Sequence, residues 1–113
     1  MIKIVLLLHR RPDLTVEEFR RQWHGQHAEL LSRLPGLRRL VLNDVFPGPD
    51  GAPPPCDGIA EDWFESPEAM EAAFTSPEGQ AVAAHAADFL DLARLQTLVV
   101  SEHDIPLRRA PNS

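Results

Sequence analysis

The pattern that most constrains the fold is a set of short runs that are apolar at neighbouring positions as well as at alternate ones. Side chains alternate between the two faces of a strand, so such runs place apolar groups on both faces. Residues 2–9 form the first run, and residues 37–46 and 95–105 form two more. In the first run one face carries Ile2, Ile4, Leu6 and Leu8, and the other carries Val5 and Leu7. These runs predict strands that need a cover on each face.

The first helical region begins soon after the first run. Thr15 and Glu18 form a capping box, in which the Thr15 hydroxyl bonds the backbone of Glu18 and the Glu18 carboxylate reaches back. Apolar residues then recur at helical spacing until Pro35-Gly36 ends the pattern. The predicted buried stripe consists of Val16, Phe19, Trp23, Leu30 and Leu34.

The second helical region has two start signals. Ser66-Pro67-Glu68 and Ser76-Pro77-Glu78 each combine an N-cap serine with proline at the first helical position. They predict a short helix to about residue 74 and a longer one to about residue 93, after a strand at about 58–65. The predicted buried stripe of the longer helix consists of Val82, Ala86, Phe89 and Ala93.

The order of elements is therefore strand, helix, strand, strand, helix, strand. This order is typical of the ferredoxin-like β-α-β-β-α-β fold of the α+β class, an antiparallel sheet with its helices on one face. The chain has 113 residues, enough for one domain, which we place at residues 1–105. We expect residues 106–113 to form a flexible C-terminal tail and the proline-rich stretch 47–57 to form a loop.

The second apolar face of the sheet also bears on assembly. Leaving it in water would lose the stabilisation that burial brings, about 25 cal/mol per Å² of apolar area. Sheet-to-sheet packing of two copies is the simplest cover, so we expect a homodimer. The alternative is that the extra apolar residues lie near strand ends and stay partly exposed.

Charge and cysteine content narrow the class of partner and the compartment. The formal net charge is −6, which gives no general attraction for nucleic acid or for an anionic membrane surface. No segment approaches the ~20 apolar residues of a membrane helix, and the first apolar run is too short for a signal peptide. Cys56 is the single cysteine and has no partner within the chain, which fits a cytoplasmic protein.

Candidate chemistry depends on a few polar residues, because the sequence has no glycine-rich phosphate loop, Cys-x-x-Cys pair or serine nucleophile elbow. His27 is the strongest candidate, since helical spacing puts it near the middle of the apolar stripe, one turn after Trp23. His85 lies on the shoulder of the second stripe and could face the same space. We take both histidines as candidate catalytic residues and Trp23 as a substrate contact. The alternative for His27 is a structural core histidine that is hydrogen-bonded to a strand.

Three further residues complete the candidate substrate contacts: His24, Glu61 and Trp63. His24 is the weakest, because it lies at the flank of the stripe where a surface position is expected. Glu61 and Trp63 share one face of the third strand, and an acid on an otherwise apolar sheet face is either paired or functional. His24 and His27 could also form a metal pair, but nothing fixes the remaining ligands, so we expect no metal site.

Several motifs in a fixed order resemble those of the EthD-like proteins. They span about residues 1–105, nearly the whole chain, and leave the loop at 47–57 outside the pattern. The motifs are His9-Arg10-Arg11-Pro12; Phe19, Trp23, His27 and Ala28; Leu34-Pro35-Gly36-Leu37; Trp63-Phe64 followed by Ser66-Pro67-Glu68-Ala69; Ser76-Pro77; and the run from Asp88-Phe89 to Val100-Ser101-Glu102-His103.

The resemblance implies a dimeric α/β barrel, in which two ferredoxin-like subunits pair their sheets and each keeps a cavity between its sheet and its helices. It also implies a link to the degradation of ethers and aromatic compounds. Relatives in the superfamily include cofactor-free monooxygenases, muconolactone-type isomerases and polyketide cyclases. The histidine at the position of His27 is the family's most recognisable polar residue, and no single reaction follows from the resemblance.

Three functions remain open at this point. The first is an enzyme that acts on a hydrophobic carbonyl, lactone or aromatic compound without a cofactor, with His27 as general acid or base in an isomerisation, cyclisation or oxygenation. The second is a non-catalytic protein that binds an apolar small ligand. The third is a haem-associated protein with His27 or His85 as axial ligand. A co-purifying ligand would separate them.

Overall fold

The computed structural model describes residues 1–110 as a β-α-β-β-α-β chain, which confirms the predicted α+β class and the order of its elements. The strands are β1 (Ile2–Leu8), β2 (Arg39–Asp44), β3 (Gly58–Phe64) and β4 (Gln96–Val100). The helices are α1 (Val16–Gln22), α2 (Ala28–Leu31), α3 (Pro67–Thr75) and α4 (Pro77–Ala86). A π-helical turn, Trp23–His27, joins α1 to α2, and we call this continuous stretch the long helix. Of the predicted tail, residues 111–113 lie outside the described residues.

The four strands form one antiparallel sheet in the order β2-β3-β1-β4. Residues opposite each other on neighbouring strands share a face, so the register decides which side each side chain takes. Ile4 of β1 pairs with Asp62 of β3 and with Val99 of β4. Val5, one residue later, pairs with Glu61 and with Leu98 on the other side.

The helices cover one face of the sheet, which we call the helix face. Phe19 and Trp23 of the long helix are fully buried against Leu8 and Ala60, together with Phe89. The Phe19 ring lies 5.4 Å from Trp23 and 5.7 Å from Phe89, centroid to centroid, so three aromatic rings hold the long helix on the sheet. None of the helices within residues 1–110 has the length and apolarity that crossing a bilayer requires.

The opposite side, which we call the open face, carries apolar as well as polar side chains, and no helix of residues 1–110 covers it. Its apolar members include Val5, Leu7, Val41, Ile59 and Leu98, and Leu98 is 51% exposed. This confirms that the strands are apolar on both faces. At one end of this face the Trp63 indole donates to Glu102, with the cations of Lys3 and Arg39 over its ring.

Three predicted boundaries are wrong, and pairing with β1 explains two of them. The last helix ends at Ala86 rather than near residue 93, because Phe89 and Leu90 turn back to the end of β1, where the Arg11 N–H donates to the Phe89 carbonyl. Ala93, predicted to be buried, is exposed as a result. β4 stops at Val100 because its partner there is Lys3, almost the first residue of β1. β2 is shorter than predicted at both ends.

Gly58, at the start of β3, lies directly under Trp23. A Cβ atom at this position would come within 2.5 Å of the Trp23 ring, a distance that no real contact tolerates. We predict that Gly58→Ala displaces the ring and costs about 1–3 kcal/mol of unfolding free energy, as overpacking does. Denaturant melts followed by tryptophan fluorescence measure both effects.

Gly25 gives the matched control. A Cβ there meets nothing within 4 Å, and the residue lies inside the long helix. Gly25→Ala should therefore leave stability unchanged or raise it by up to about 1 kcal/mol. Equal effects of the two substitutions would contradict the close packing of Trp23 on Gly58.

Candidate active site between the long helix and the sheet

A cavity of about 290 Å³ lies between the helix face, the long helix and α4. Its walls are mostly apolar, and the titratable side chains among them are His27 and Asp62. Trp23 adds a buried indole N–H that has no hydrogen-bond partner in residues 1–110. The walls include Leu6, Leu8 and Ala60 from the sheet, Trp23 and Leu31 from the long helix, and Val82 from α4. This volume is at the lower end of the range for small-molecule sites, so it suits a compact ligand.

The π-helical turn determines how the long helix faces the cavity. Phe19, Trp23, His27 and Leu31 are all buried, at a constant spacing of four. In a regular α-helix each step of four residues advances about 40° beyond a full turn, so the series would wind off one face. The wider π turn absorbs that drift, and such turns are frequent at functional sites. It also explains why Leu31 is buried where the sequence predicted Leu30.

His27 and His85 meet at the back of the cavity. Nδ1 of His27 lies 2.9 Å from Nδ1 of His85, and both side chains are buried. The two rings meet edge to edge, with centroids 5.2 Å apart and planes inclined by 27°, and the Phe89 ring packs against each of them, at 4.8 Å and 5.3 Å. The structure therefore brings together the two predicted catalytic histidines, one from the long helix and one from α4.

Gln22 determines how the protons are arranged on the two rings. Its Oε1 lies 3.2 Å from Nε2 of His85. We assign the proton of this contact to Nε2 of His85, since an amide oxygen only accepts, and in a neutral ring Nδ1 is then bare. His27 must supply the proton of the Nδ1–Nδ1 bond. For a pair of neutral rings, Nε2 of His27 is consequently an unprotonated nitrogen without a hydrogen-bond partner in residues 1–110.

Burial keeps His27 neutral. Desolvation, and after it the neighbouring His85, lower the pKa of His27 from 6.5 to about 4. An imidazole that stays unprotonated at neutral pH can accept a proton from a bound molecule.

Asp62 is the second polar residue of the cavity and the most buried acid of the described chain. Its side chain lies at the centre of β3 and is 1% exposed. Desolvation raises the pKa of Asp62 from 3.8 to about 7. The sequence analysis did not select Asp62, although strand alternation puts it on the face opposite Glu61, because both faces are apolar and alternation alone does not say which one the helices cover.

The other predicted contacts fall into two groups. Trp23 is fully buried and forms part of the cavity wall. His24 points away from the cavity, with its Nε2 2.7 Å from the Asp44 carboxylate. Glu61 and Trp63 lie on the open face, where the Lys3 ammonium bonds Glu61. Strand alternation thus puts Glu61 and Trp63 on the side of the sheet away from His27, among the charged groups of the open face.

No three His, Cys, Asp or Glu side chains of residues 1–110 are grouped as ligands of a metal ion. His24 and His27, considered above as a metal pair, point to different surroundings.

Comparison with known proteins bears out the sequence resemblance. A family model described as the EthD domain matches residues 11–93, well over half of the chain. Among curated proteins, an uncharacterized 11.0 kDa protein of the thcB-thcC intergenic region of Rhodococcus erythropolis is 34% identical over 71 residues. The matched segment covers 63% of this chain and 68% of that protein.

Solved structures share the fold over most of the chain. An ethyl tert-butyl ether d (ethd) family protein of Bacillus halodurans is 22% identical with a TM-score of 0.77, over 91% of this chain and 100% of its own. A dimeric protein with a ferredoxin-like fold from Bacteroides fragilis is 14% identical (TM-score 0.66; 89% and 95% covered). SnoaB, a cofactor-independent oxygenase from Streptomyces nogalater, is also 14% identical (0.64; 92% and 94%). At these identities the likeness shows the fold alone.

Asp62 and His27 have opposite effects on the pH dependence of stability. Because the pKa of Asp62 is raised, its contribution to the free energy of unfolding is full below pH 3.8 and is lost as the pH rises through about 7. Because the pKa of His27 is lowered, its contribution to the free energy of unfolding is full above pH 6.5 and is lost as the pH falls towards about 4. These contributions are about 4 kcal/mol for Asp62 and about 3 kcal/mol for His27, since one pKa unit corresponds to about 1.4 kcal/mol.

We therefore predict that Asp62→Asn and His27→Gln change the pH dependence of stability in opposite directions. Relative to the wild type, Asp62→Asn should gain unfolding free energy as the pH rises from about 4 to about 7, and His27→Gln should lose it. Urea melts across this range measure the effect. Three parallel curves would contradict the burial of these groups.

Proposed function

We propose, from the premise that the chain belongs to the EthD domain family, that it is an enzyme that transfers protons on a small, mostly apolar carbonyl, lactone or aromatic compound. The observation that supports this most is a buried histidine, His27, on the wall of an apolar cavity, with its Nδ1 2.9 Å from Nδ1 of His85. That arrangement leaves Nε2 of His27 as a base.

The reaction begins with proton removal next to a carbonyl group. Nε2 of His27 takes the proton, the C–H electron pair forms a C=C bond, and the carbonyl π pair moves to the oxygen. Return of the proton to another carbon completes an isomerisation, and attack of the new carbon nucleophile on a second carbonyl completes a cyclisation. In an oxygenation, the same carbon nucleophile would instead react with O₂. SnoaB, a cofactor-independent oxygenase, shares the fold.

His85 and Gln22 spread the positive charge that His27 gains. When Nε2 of His27 is protonated, its Nδ1 proton can pass 2.9 Å to Nδ1 of His85. The His85 imidazolium then donates through Nε2 to the Gln22 oxygen, on the exposed side of the long helix. Burial disfavours a charge on His27 itself, so this transfer makes the buried base stronger than its own low pKa suggests.

The cavity sets the class of substrate. Its apolar walls favour a ring compound with few polar groups, and Trp23 offers an aromatic face to such a ring. A cavity of about 290 Å³ suits a molecule of one or two rings. Of the predicted contacts, we retain Trp23 as the substrate contact, with His27 and His85 as the acid/base pair.

We further propose that the protein acts as a homodimer through the open face. The apolar side chains of this face are half-buried or exposed in the single chain, and a second sheet would cover them. The neighbour from Bacteroides fragilis is described as dimeric. The cavity lies on the helix face, so dimerisation leaves it accessible.

Hydrogen exchange tests the proton-transfer chemistry without knowledge of the natural substrate. We predict that the protein accelerates exchange of the α protons of 1-tetralone, 2-tetralone or dihydrocoumarin in D₂O, followed by NMR. His27→Gln should slow this exchange about 100-fold or more, as expected for loss of a general base. His85→Asn should slow it less, because the base remains and only the relay is lost.

His103→Gln is the matched control, since His103 is an exposed histidine of the C-terminal segment. It should exchange these protons at the wild-type rate. Binding of all three compounds without exchange would contradict the enzyme and support a protein that only carries an apolar ligand.

The dimer is tested at Leu98, which lies on the open face and is 51% exposed. We predict that the wild type has twice the chain mass of 12.6 kDa by light scattering and that Leu98→Glu has the mass of one chain. A carboxylate there would have to be buried between two sheets without a partner. Leu107→Glu is the control, because Leu107 is 72% exposed and lies beyond the sheet. A monomeric wild type would contradict the dimer.

A further inference from the structure

Asp62 has no structural role that explains its position. Its carboxyl group makes no hydrogen bond to any of residues 1–110, and its Oδ1 atom is fully shielded. Across the sheet it lies between Ile4 and Leu40, and along β3 the neighbours on the same face are Ala60 and Phe64. A buried polar group without a partner costs stability, and an apolar residue would fit these surroundings better.

We propose that the Asp62 carboxyl, in its uncharged form, donates a hydrogen bond to an oxygen of the bound ligand, so that the ligand is a neutral compound with a carbonyl-type oxygen. Asp62 lines the same cavity as His27, and its carboxyl is a buried polar group there without a hydrogen-bond partner in residues 1–110. This inference rests on the proposed function and assigns the second polar contact of that site.

The charges near Asp62 support the uncharged form. Within the cavity wall the other titratable side chain is His27, which is neutral, and His85 stands behind it. Lys3 and Arg39 project from the open face on the other side of the sheet. No cation of residues 1–110 therefore pairs with the Asp62 carboxyl, and desolvation raises its pKa to about 7.

A cationic ligand fits this cavity poorly. An ammonium group carries three N–H donors, and the cavity offers only the Asp62 carboxylate and Nε2 of His27 among apolar walls. A carbonyl oxygen needs only a single donor, which the protonated carboxyl supplies. The two polar residues then divide the reaction: Asp62 holds the oxygen that gains electron density, and His27 takes the proton from carbon.

The test compares three probes of one shape: 1-tetralone, tetralin and 2-aminotetralin. They present a neutral oxygen, no polar group and a cation, respectively. We expect the wild type at about pH 6 to bind 1-tetralone about tenfold more tightly than tetralin, the effect of one hydrogen bond. The preference should disappear above about pH 8, where Asp62 loses its proton. Tighter binding of 2-aminotetralin than of 1-tetralone at pH 6 would overturn the proposal.

Two variants keep the test independent of folding and of the catalytic step. Asp62→Asn retains a donor, so it should keep the ketone preference and lose its pH dependence, whereas Asp62→Leu should bind both neutral probes equally. Glu65→Gln, at an exposed acid paired with Arg38, should behave as wild type. An unchanged preference in Asp62→Leu would overturn the proposal. None of these binding measurements requires turnover. If proton exchange failed while the ketone preference held, the role of His27 would be wrong and that of Asp62 would stand.

Discussion

The hydrogen bond between Nδ1 of His27 and Nδ1 of His85 is the interaction on which the site depends. It joins the long helix to α4 across the back of the cavity and fixes both rings against Phe89. Because Gln22 accepts from the far nitrogen of His85, the same bond also determines which nitrogen of His27 is bare. Two helices thus position a base, and the sheet beneath them supplies Asp62.

The buried polar groups of the cavity cost the fold stability in opposite ways. His27 resists protonation and Asp62 resists ionisation, and both effects arise from desolvation by the same apolar walls. With a leucine or phenylalanine at position 27 or 62, the protein would avoid this cost of burying a polar group. Local conflict of this kind within an otherwise consistent sequence is typical of functional sites.

Much of the fold could be predicted from the sequence because its signals are local. The Glu18 N–H donates to the Thr15 hydroxyl as the predicted capping box requires, although the Glu18 carboxylate accepts from that hydroxyl rather than from the backbone. The apolar alternation also identified both faces of β1. The contact between His27 and His85 could not be predicted, because it depends on how two helices cross above the sheet. The π turn was missed because burial at every fourth position differs little from the regular helical period over one or two turns.

The central claim is that His27 is a neutral base whose Nδ1 carries the proton shared with His85. Nitrogen-15 NMR of the histidine side chains at about pH 7 tests this most directly, because protonated and bare ring nitrogens differ widely in chemical shift. The account predicts a protonated Nδ1 and a bare Nε2 on His27, the reverse on His85, and no titration of His27 above about pH 5. A protonated Nε2 on His27, or its titration near pH 6.5, would contradict the account.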